Sequence, residues 1–470
     1  MINNIFSNYY NLTDKESNAL FYKSGKIRTP YVKTRITYAD YIASGQPSAI
    51  IENYMIKNIY PYSANTHSNA FNGIHMKNLI NHVKEQIRSD LGINSDYKIL
   101  FPGNGTTGSF NHLINLIDYA KYNKVIIYIS IYEHYSNHLP WLELTKNFKT
   151  IELKIIPFNQ NNLINLNWLD QSIALDYSDA EINNCLAKNL VICSITACSN
   201  ITGLIMPLNE IKFILDKYPS NNNFHKYFFA DYACSGPYVK INGDILDALA
   251  FSSHKFLGGI SCPGVLVAKS CLFNKSTPYT KGGGCVSKCN SKEIIYEVDI
   301  EKKESAGTPN IMGIIKLGKV LELKNRYQNI ITNNENILSN LIKLKIDYFI
   351  SKYPNFKYVS DSYLNSNAKH LPIFSYSQTN LHYNLIVVLL NDLFGIQTRG
   401  GIGCCGLLGE YIEQKLGFRG WCRVSLHWTM SSDTIKNIFK AIEYIIINGK
   451  KYKPLYKYIP EKNLYEYIGK

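Results

Sequence analysis

The stretch ALAFSSHKFLGG, residues 248–259, passes from an apolar run into a cluster of small residues surrounding one long amine, Lys255. The same texture recurs along the chain. Short apolar runs stand at YKILF (97–101), KVIIYIS (124–130), IELKIIPF (151–158), NLVICSI (189–195), KYFFAD (226–231) and GVLVAK (264–269), and several intervening segments are long enough for crossover helices. That alternation predicts an α/β domain whose sheet is mainly parallel and covered on both faces.

A change of texture follows Gly307-Thr308-Pro309. A helical segment, IMGIIKLGKVLELKNRYQNI, leads into shorter strand and helix patterns up to about residue 449, and a second domain is expected from near 321. The expected organisation is an N-terminal segment (1–70), a large domain (71–320), a small C-terminal domain (321–449) and a basic, Tyr-rich tail (450–470).

Composition narrows the function classes. The 470 residues carry a formal charge of +14, yet the lysines are scattered instead of forming an arm or stripe. Asn, Ile, Lys and Tyr are over-used together and share A/T-rich codons, which accounts for much of the basicity and argues against a nucleic-acid partner. Eleven irregularly spaced cysteines, an odd number, point to a reducing compartment. The first twenty residues lack the apolar core of a signal peptide, and runs such as LIVVLL (385–390) are too short to span a bilayer. A soluble, cytoplasmic protein with no membrane partner is expected.

Four stretches carry chemistry. In FPGNGTTGSFNHLINLI (101–117) a strand gives way to glycines, threonines and a helix, so backbone N–H groups and the Thr106 and Thr107 hydroxyls make an anion cradle. Gly103, Gly105 and Gly108 also fit G-x-G-x-x-G, with Glu133 where a ribose partner would stand; an ordinary strand-to-helix turn fits as well. In IYEHYSNHLPW (131–141), His134 begins where a strand ends and suits stacking on a flat ring or capping a helix. It lies four residues from His138, but no third ligand is near and no metal is expected. In FFADYACSGPY (228–238), Asp231 ends a very apolar strand, where a carboxylate needs a cationic partner such as a protonated pyridine nitrogen, or else serves as a helix cap. Poor solvation at a crowded sheet end would favour the neutral amine of Lys255 and condensation with an aldehyde; a solvated loop lysine is the alternative.

Together these residues resemble the class V aminotransferases, fold-type I pyridoxal-phosphate enzymes that include cysteine desulfurases and selenocysteine lyases. The resemblance runs in collinear order from YADYIASG (38–45) to CRVSLHW (422–428). It implies a large domain with a mainly parallel seven-stranded sheet and a smaller α+β C-terminal domain. It makes Lys255 the Schiff-base lysine, Asp231 the partner of the pyridine nitrogen, and Thr106, Thr107, Ser253 and His254 the phosphate ligands. His134 would stack on the ring, Asn200 of CSNITG would meet the ring hydroxyl, and Cys234 stands where the family often has Gln or His. Thr308 of AGTP would reach the phosphate of a neighbouring subunit, implying a homodimer, and Arg423 would clamp the substrate carboxylate. Asn65 and His67 of YSANTHS lie in a segment that usually reaches the active site.

One segment separates reactions within the family. GIQTRGGIGCCG (395–406) resembles the loop that carries the sulfur-accepting cysteine of desulfurases and places Cys404 at that position, with a second thiol, Cys405, directly after it. Ile402 and Gly403 replace the histidines of some desulfurases, and Trp428, Thr429 and Met430 replace a common Tyr-Asn-Thr. The expected activity is therefore removal of sulfur from L-cysteine, with a sulfur-acceptor protein as an admissible partner. Transamination or β-elimination stands if Cys404 is only structural. Two other classes compete: a nicotinamide-dependent oxidoreductase built on the glycine turn, and a non-catalytic binding protein basic enough to touch an acidic partner.

Overall fold

The computed structural model describes residues 5–183, 188–364 and 368–469. The chain divides into two compact units, one of residues 45–197 and 206–326, the other of residues 1–44, 198–205 and 327–470.

The first unit is built on seven strands that coincide with the apolar runs of the sequence: β1 (Tyr97–Leu100), β2 (Val125–Ser130), β3 (Ile151–Ile156), β4 (Asn189–Thr196), β5 (Phe224–Asp231), β6 (Ala248–Ser252) and β7 (Gly264–Lys269). They form one sheet in the order β1-β7-β6-β5-β4-β2-β3. Strands β3, β2, β4, β5 and β6 pair in parallel, and β7 runs antiparallel between β6 and β1. Every residue of β2, β4 and β6 is buried. Helices cover both faces of such a sheet, which is why these strands read as continuous rather than alternating apolar runs.

Parallel pairing brings the carboxyl ends of β2, β4, β5 and β6 to one edge, and β1 ends at the same edge because it shares their direction. Helix α1 (Gly105–Leu116) starts just after β1, and helix α2 (Tyr135–Asn147) starts just after β2. In open α/β sheets the carboxyl edge is where ligands bind.

The edge is packed too tightly for side chains at several points. A Cβ on Gly259 would lie 1.9 Å from the Ser253 carbonyl oxygen, and one on Gly264 would lie 2.3 Å from that of Gly105. Gly45 donates its N–H to the His254 carbonyl at 2.9 Å, and a Cβ there would lie 2.0 Å from the Phe256 oxygen. The lysine loop is thus clasped by backbone on both sides. These contacts, more than chain flexibility, account for the glycines around Lys255.

The other unit holds a four-stranded antiparallel sheet of segments Phe356–Tyr358, Ile373–Gln378, Trp421–Ser425 and Arg399–Gly401, in that order. Its core is closed by two helices, Tyr383–Phe394 and Ser432–Asn448. The second of these buries Ile435, Ile438, Phe439, Ile442, Ile445 and Ile446, a helical stripe, and Ser431 caps it by accepting from the Thr434 N–H at 3.2 Å. The Lys- and Tyr-rich end is no loose extension. It folds into a hairpin of Tyr456–Ile459 and Leu464–Tyr467, and the buried Tyr456 hydroxyl donates to Asp392 Oδ2 at 2.7 Å. No helix among the described residues is long and apolar enough to cross a membrane.

Replacing Gly45 by alanine forces the clasp apart. Thermal melting of the Gly45→Ala protein should show a loss of about 1–3 kcal/mol, and an unchanged melting temperature would show that the contact with Phe256 relaxes freely.

Candidate active site

At the carboxyl edge, α1 begins without a side-chain cap from Asn104, its N-terminal flanking residue. Gly105 has φ +58°, and a Cβ there would stand 2.7 Å from Ser252 Oγ. That absence of bulk lets Ser252 Oγ accept the Thr106 N–H at 2.9 Å and donate to Thr106 Oγ1 at 3.3 Å. Thr107 Oγ1 meets Ser136 Oγ at 2.7 Å, which ties the starts of α1 and α2 together. Ser253 follows at the end of β6. It is fully buried, and its Oγ is without a hydrogen-bond partner. A buried hydroxyl is seldom left unsatisfied, so this one is free to donate to a group brought to the sheet edge.

Asp231 closes β5 at 1 % exposure, opposite Thr196 on β4 and Ala250 on β6. Its Oδ1 accepts the Ala233 N–H at 2.8 Å. Burial pushes the carboxyl up to about 6, against the pull of that N–H and of the Lys255 charge. Near neutral pH it is mostly ionised and gains from a cation beside it. Lys255 itself is half-buried, at the end of the short turn Ser253–Lys255 that follows β6. The neighbouring His254 is held toward its neutral form by burial and then by the lysine charge. Cys234, three residues past the aspartate, is buried.

His134 occupies the N-cap of α2, where its Nδ1 accepts the Ser136 N–H at 3.1 Å, so in the neutral ring the proton sits on Nε2. Its neighbour Glu133 overturns one expectation. The carboxylate is fully buried and accepts from Ser130 Oγ at 2.6 Å, Asn137 Nδ2 at 2.6 Å and the Thr196 N–H at 2.8 Å. It cannot meet a ribose. The glycine turn fails as a dinucleotide fingerprint for a second reason: β1 lies at the sheet edge beside antiparallel β7, far in strand order from β2, so no β1–α1–β2 unit of adjacent parallel strands exists. Burial pushes Glu133 up to about 8 despite its three donors.

Two residues of the N-terminal segment find nearby partners. Asn65 Nδ2 donates to Thr308 Oγ1 at 3.1 Å, both residues being exposed, so two predicted site residues meet each other within one chain. His67 packs beside Gly284, where a Cβ would come within 3.2 Å of its ring.

The remaining predicted residues belong to the other compact unit and form their own network. Arg423, 4 % exposed, bonds Asp40 Oδ1 through Nη2 at 2.8 Å and the Asn200 carbonyl through Nη1 at 3.1 Å, while its Nε has no partner. Asn200 sends Nδ2 to the Gly403 carbonyl at 2.8 Å and accepts from Cys405 Sγ at 2.8 Å. Cys405 is fully buried, whereas Cys404 is exposed. Sequence reasoning missed Asp40 and Ser252. Asp40 stood in plain view within YADYIASG, but nothing local marks it as the partner of an arginine 383 residues away.

The family model for class V aminotransferases matches residues 37–438. The chain belongs to the class V aminotransferase family. It is similar to a probable cysteine desulfurase of Borreliella burgdorferi, 26 % identical over 420 residues that cover 87 % of this chain and 92 % of the relative. A cysteine desulfurase of Wigglesworthia glossinidia brevipalpis is 28 % identical over 419 residues, with the same coverage. Among solved structures, the apo cysteine desulfurase of Thermococcus onnurineus shares the fold with a TM-score of 0.72 at 22 % identity, covering 88 % of this chain and 95 % of its own. The family works with pyridoxal 5′-phosphate, and the residues fit that group: the unpartnered Ser253 Oγ and the start of α1 suit a phosphate, and buried Asp231 suits a protonated ring nitrogen.

Both edge carboxyls bind protons more tightly folded than unfolded. The stability linked to them is therefore complete at low pH and is lost as pH rises through about 6 for Asp231 and about 8 for Glu133. Melting of cofactor-free protein should fall from about pH 4 to about pH 8, and Glu133→Gln should flatten the part of that fall above about pH 6. An identical slope in the variant would contradict the assignment.

Proposed function

We propose that the protein is a pyridoxal-phosphate-dependent cysteine desulfurase that moves the sulfur of L-cysteine to Cys404 and releases alanine. The observation that carries the reading is the exposed Cys404 on its glycine-rich loop: a thiol with φ +58°, in a backbone region non-glycine residues seldom adopt. Transamination needs no thiol, and strained backbone is kept where function requires it. The desulfurase relatives across most of the chain support the same reading.

When bound, pyridoxal phosphate supplies a carbonyl that condenses with amines and a ring that draws electrons from the substrate Cα. The start of α1 with Thr106, Thr107, Ser253 and His254 would hold the phosphate. Asp231 would keep the ring nitrogen protonated, His134 would cover the ring face, and Cys234 would stand near the phenolic oxygen. Lys255 Nζ would bind the carbonyl at rest and, freed by the substrate amine, would move the Cα proton. Arg423 would take the substrate carboxylate on its unpartnered Nε, sharing the guanidinium with Asp40. The Cys404 thiolate would then attack the substrate sulfur, so that the C–S bond breaks, a persulfide forms on Cys404 and the carbon fragment leaves, protonated, as alanine. A second thiol, on an acceptor protein or small molecule, would discharge the persulfide. Asn65, His67 and Thr308 belong in this reading to the rim of the site, with Thr308 reaching the phosphate of the other subunit in a homodimer.

Cys404→Ala should keep the visible absorbance of the lysine-bound cofactor while sulfide release from L-cysteine drops about a hundredfold or more. Undiminished release would remove the desulfurase reading and leave the cofactor assignment standing. Lys255→Ala should abolish the absorbance; an unchanged spectrum would count against the whole scheme.

A further inference from the structure

Cys404 is the second of two successive left-handed residues, after Gly403 at φ +59°, and Gly401 has φ +118°. Left-handed conformation at a cysteine is disfavoured and neighbouring glycines admit many others. Within the loop one backbone bond spans the pair, from the Cys405 N–H to the Ile402 carbonyl at 3.2 Å. The segment 198–205 meets the loop directly: a Cβ on Gly403 would fall 2.3 Å from Ile201 Cδ1 and 3.5 Å from Asn200 Nδ2.

That segment is itself rigid. Cys198 bridges Ile205, Ser199 N–H donates to the Leu204 carbonyl at 2.9 Å, and Gly203 N–H returns to Ser199 at 2.9 Å. Ser199 Oγ accepts the N–H groups of Ile201 at 3.3 Å and Thr202 at 3.2 Å. Ser375 Oγ, buried on the strand Ile373–Gln378, donates to the Ile201 carbonyl at 2.7 Å, and Arg423 Nη1 donates to that of Asn200 at 3.1 Å. From this base Asn200, a buried residue, presents a carboxamide that is used at both ends. Its Nδ2 takes the Gly403 carbonyl and its Oδ1 takes the Cys405 thiol, each at 2.8 Å. The orientation follows from chemistry, since the flipped amide would set oxygen against the Gly403 carbonyl oxygen.

We propose that Asn200 is a positioning residue for Cys404, and that Cys405 is a buried hydrogen-bond donor in the same clamp and not a second sulfur acceptor. The two bonds bracket Cys404 on either side, one at residue 403 and one at residue 405, and so hold the left-handed pair whose second member displays the reactive thiol. This accounts for the tandem cysteine: the first thiol faces solvent and the second is turned inward to fix it. One Asn200 N–H remains for a cofactor or substrate, so the clamp and a contact with the ring hydroxyl are compatible.

The kinetic part rests on the desulfurase reading; the conformational part does not. Hydrogen exchange of the peptide covering residues 399–409 in the intact holoprotein should quicken about tenfold in Asn200→Ala and in Cys405→Ala. Cys405→Ser keeps a donor and should restore slow exchange. In Cys405→Ala kcat for L-cysteine should fall with little change in KM or in cofactor absorbance, and Cys405→Ser should recover it. Exchange at wild-type rates in both alanine variants overturns the clamp, as does fast exchange in Cys405→Ser equal to that of Cys405→Ala. Should Asn200→Ala fail to fold, the Cys405 pair alone decides. Failure of the desulfurase reading would appear separately, as sulfide release that survives Cys404→Ala.

Discussion

The structure depends on how closely backbone can approach the end of β6. Ser252, Ser253 and Lys255 sit where the sheet edge, the start of α1 and the segment carrying Gly45 converge, and Gly45, Gly105, Gly259 and Gly264 are the points where a single Cβ would force them apart. That convergence sets the chemistry. It brings Ser252 to the amide of Thr106, buries Ser253 with its hydroxyl unpaired, and sets the lysine close enough to Asp231 for its charge to oppose the desolvation of that carboxyl. A fold that left more room here would gain tolerance to mutation and lose this fixed arrangement of hydroxyls, carboxyl and amine.

Much of this was legible in the sequence because burial on both faces leaves a local mark. The seven strands are short and match the apolar runs of the sequence, Asp231 ends β5, and Lys255 and His134 follow a few residues after β6 and β2. Beyond residue 321 the sequence predicts only shorter strand and helix patterns; the helix Ser432–Asn448, with isoleucines at helical spacing after Ser431, is one of them.

What stayed illegible was pairing over distance. The bonds from Asn200 to Gly403 and Cys405, and from Asp40 to Arg423, join residues hundreds apart in sequence, and nothing near either partner encodes the other. The glycine turn shows the same limit in reverse. Its spacing matched a dinucleotide fingerprint, but the meaning of that pattern lies in which strand stands next to which, and here an antiparallel neighbour removes it. Glu133 was misread for the same reason, since its position after β2 was plain but its three donors come from β2, α2 and β4.

The central claim is a covalent one, that the amine at the end of β6 is the one that carries the cofactor. Borohydride reduction of the purified protein followed by peptide mapping tests it most directly. The account predicts a phosphopyridoxyl group on the Nζ of Lys255; the same group on a different lysine, or on none, would contradict it.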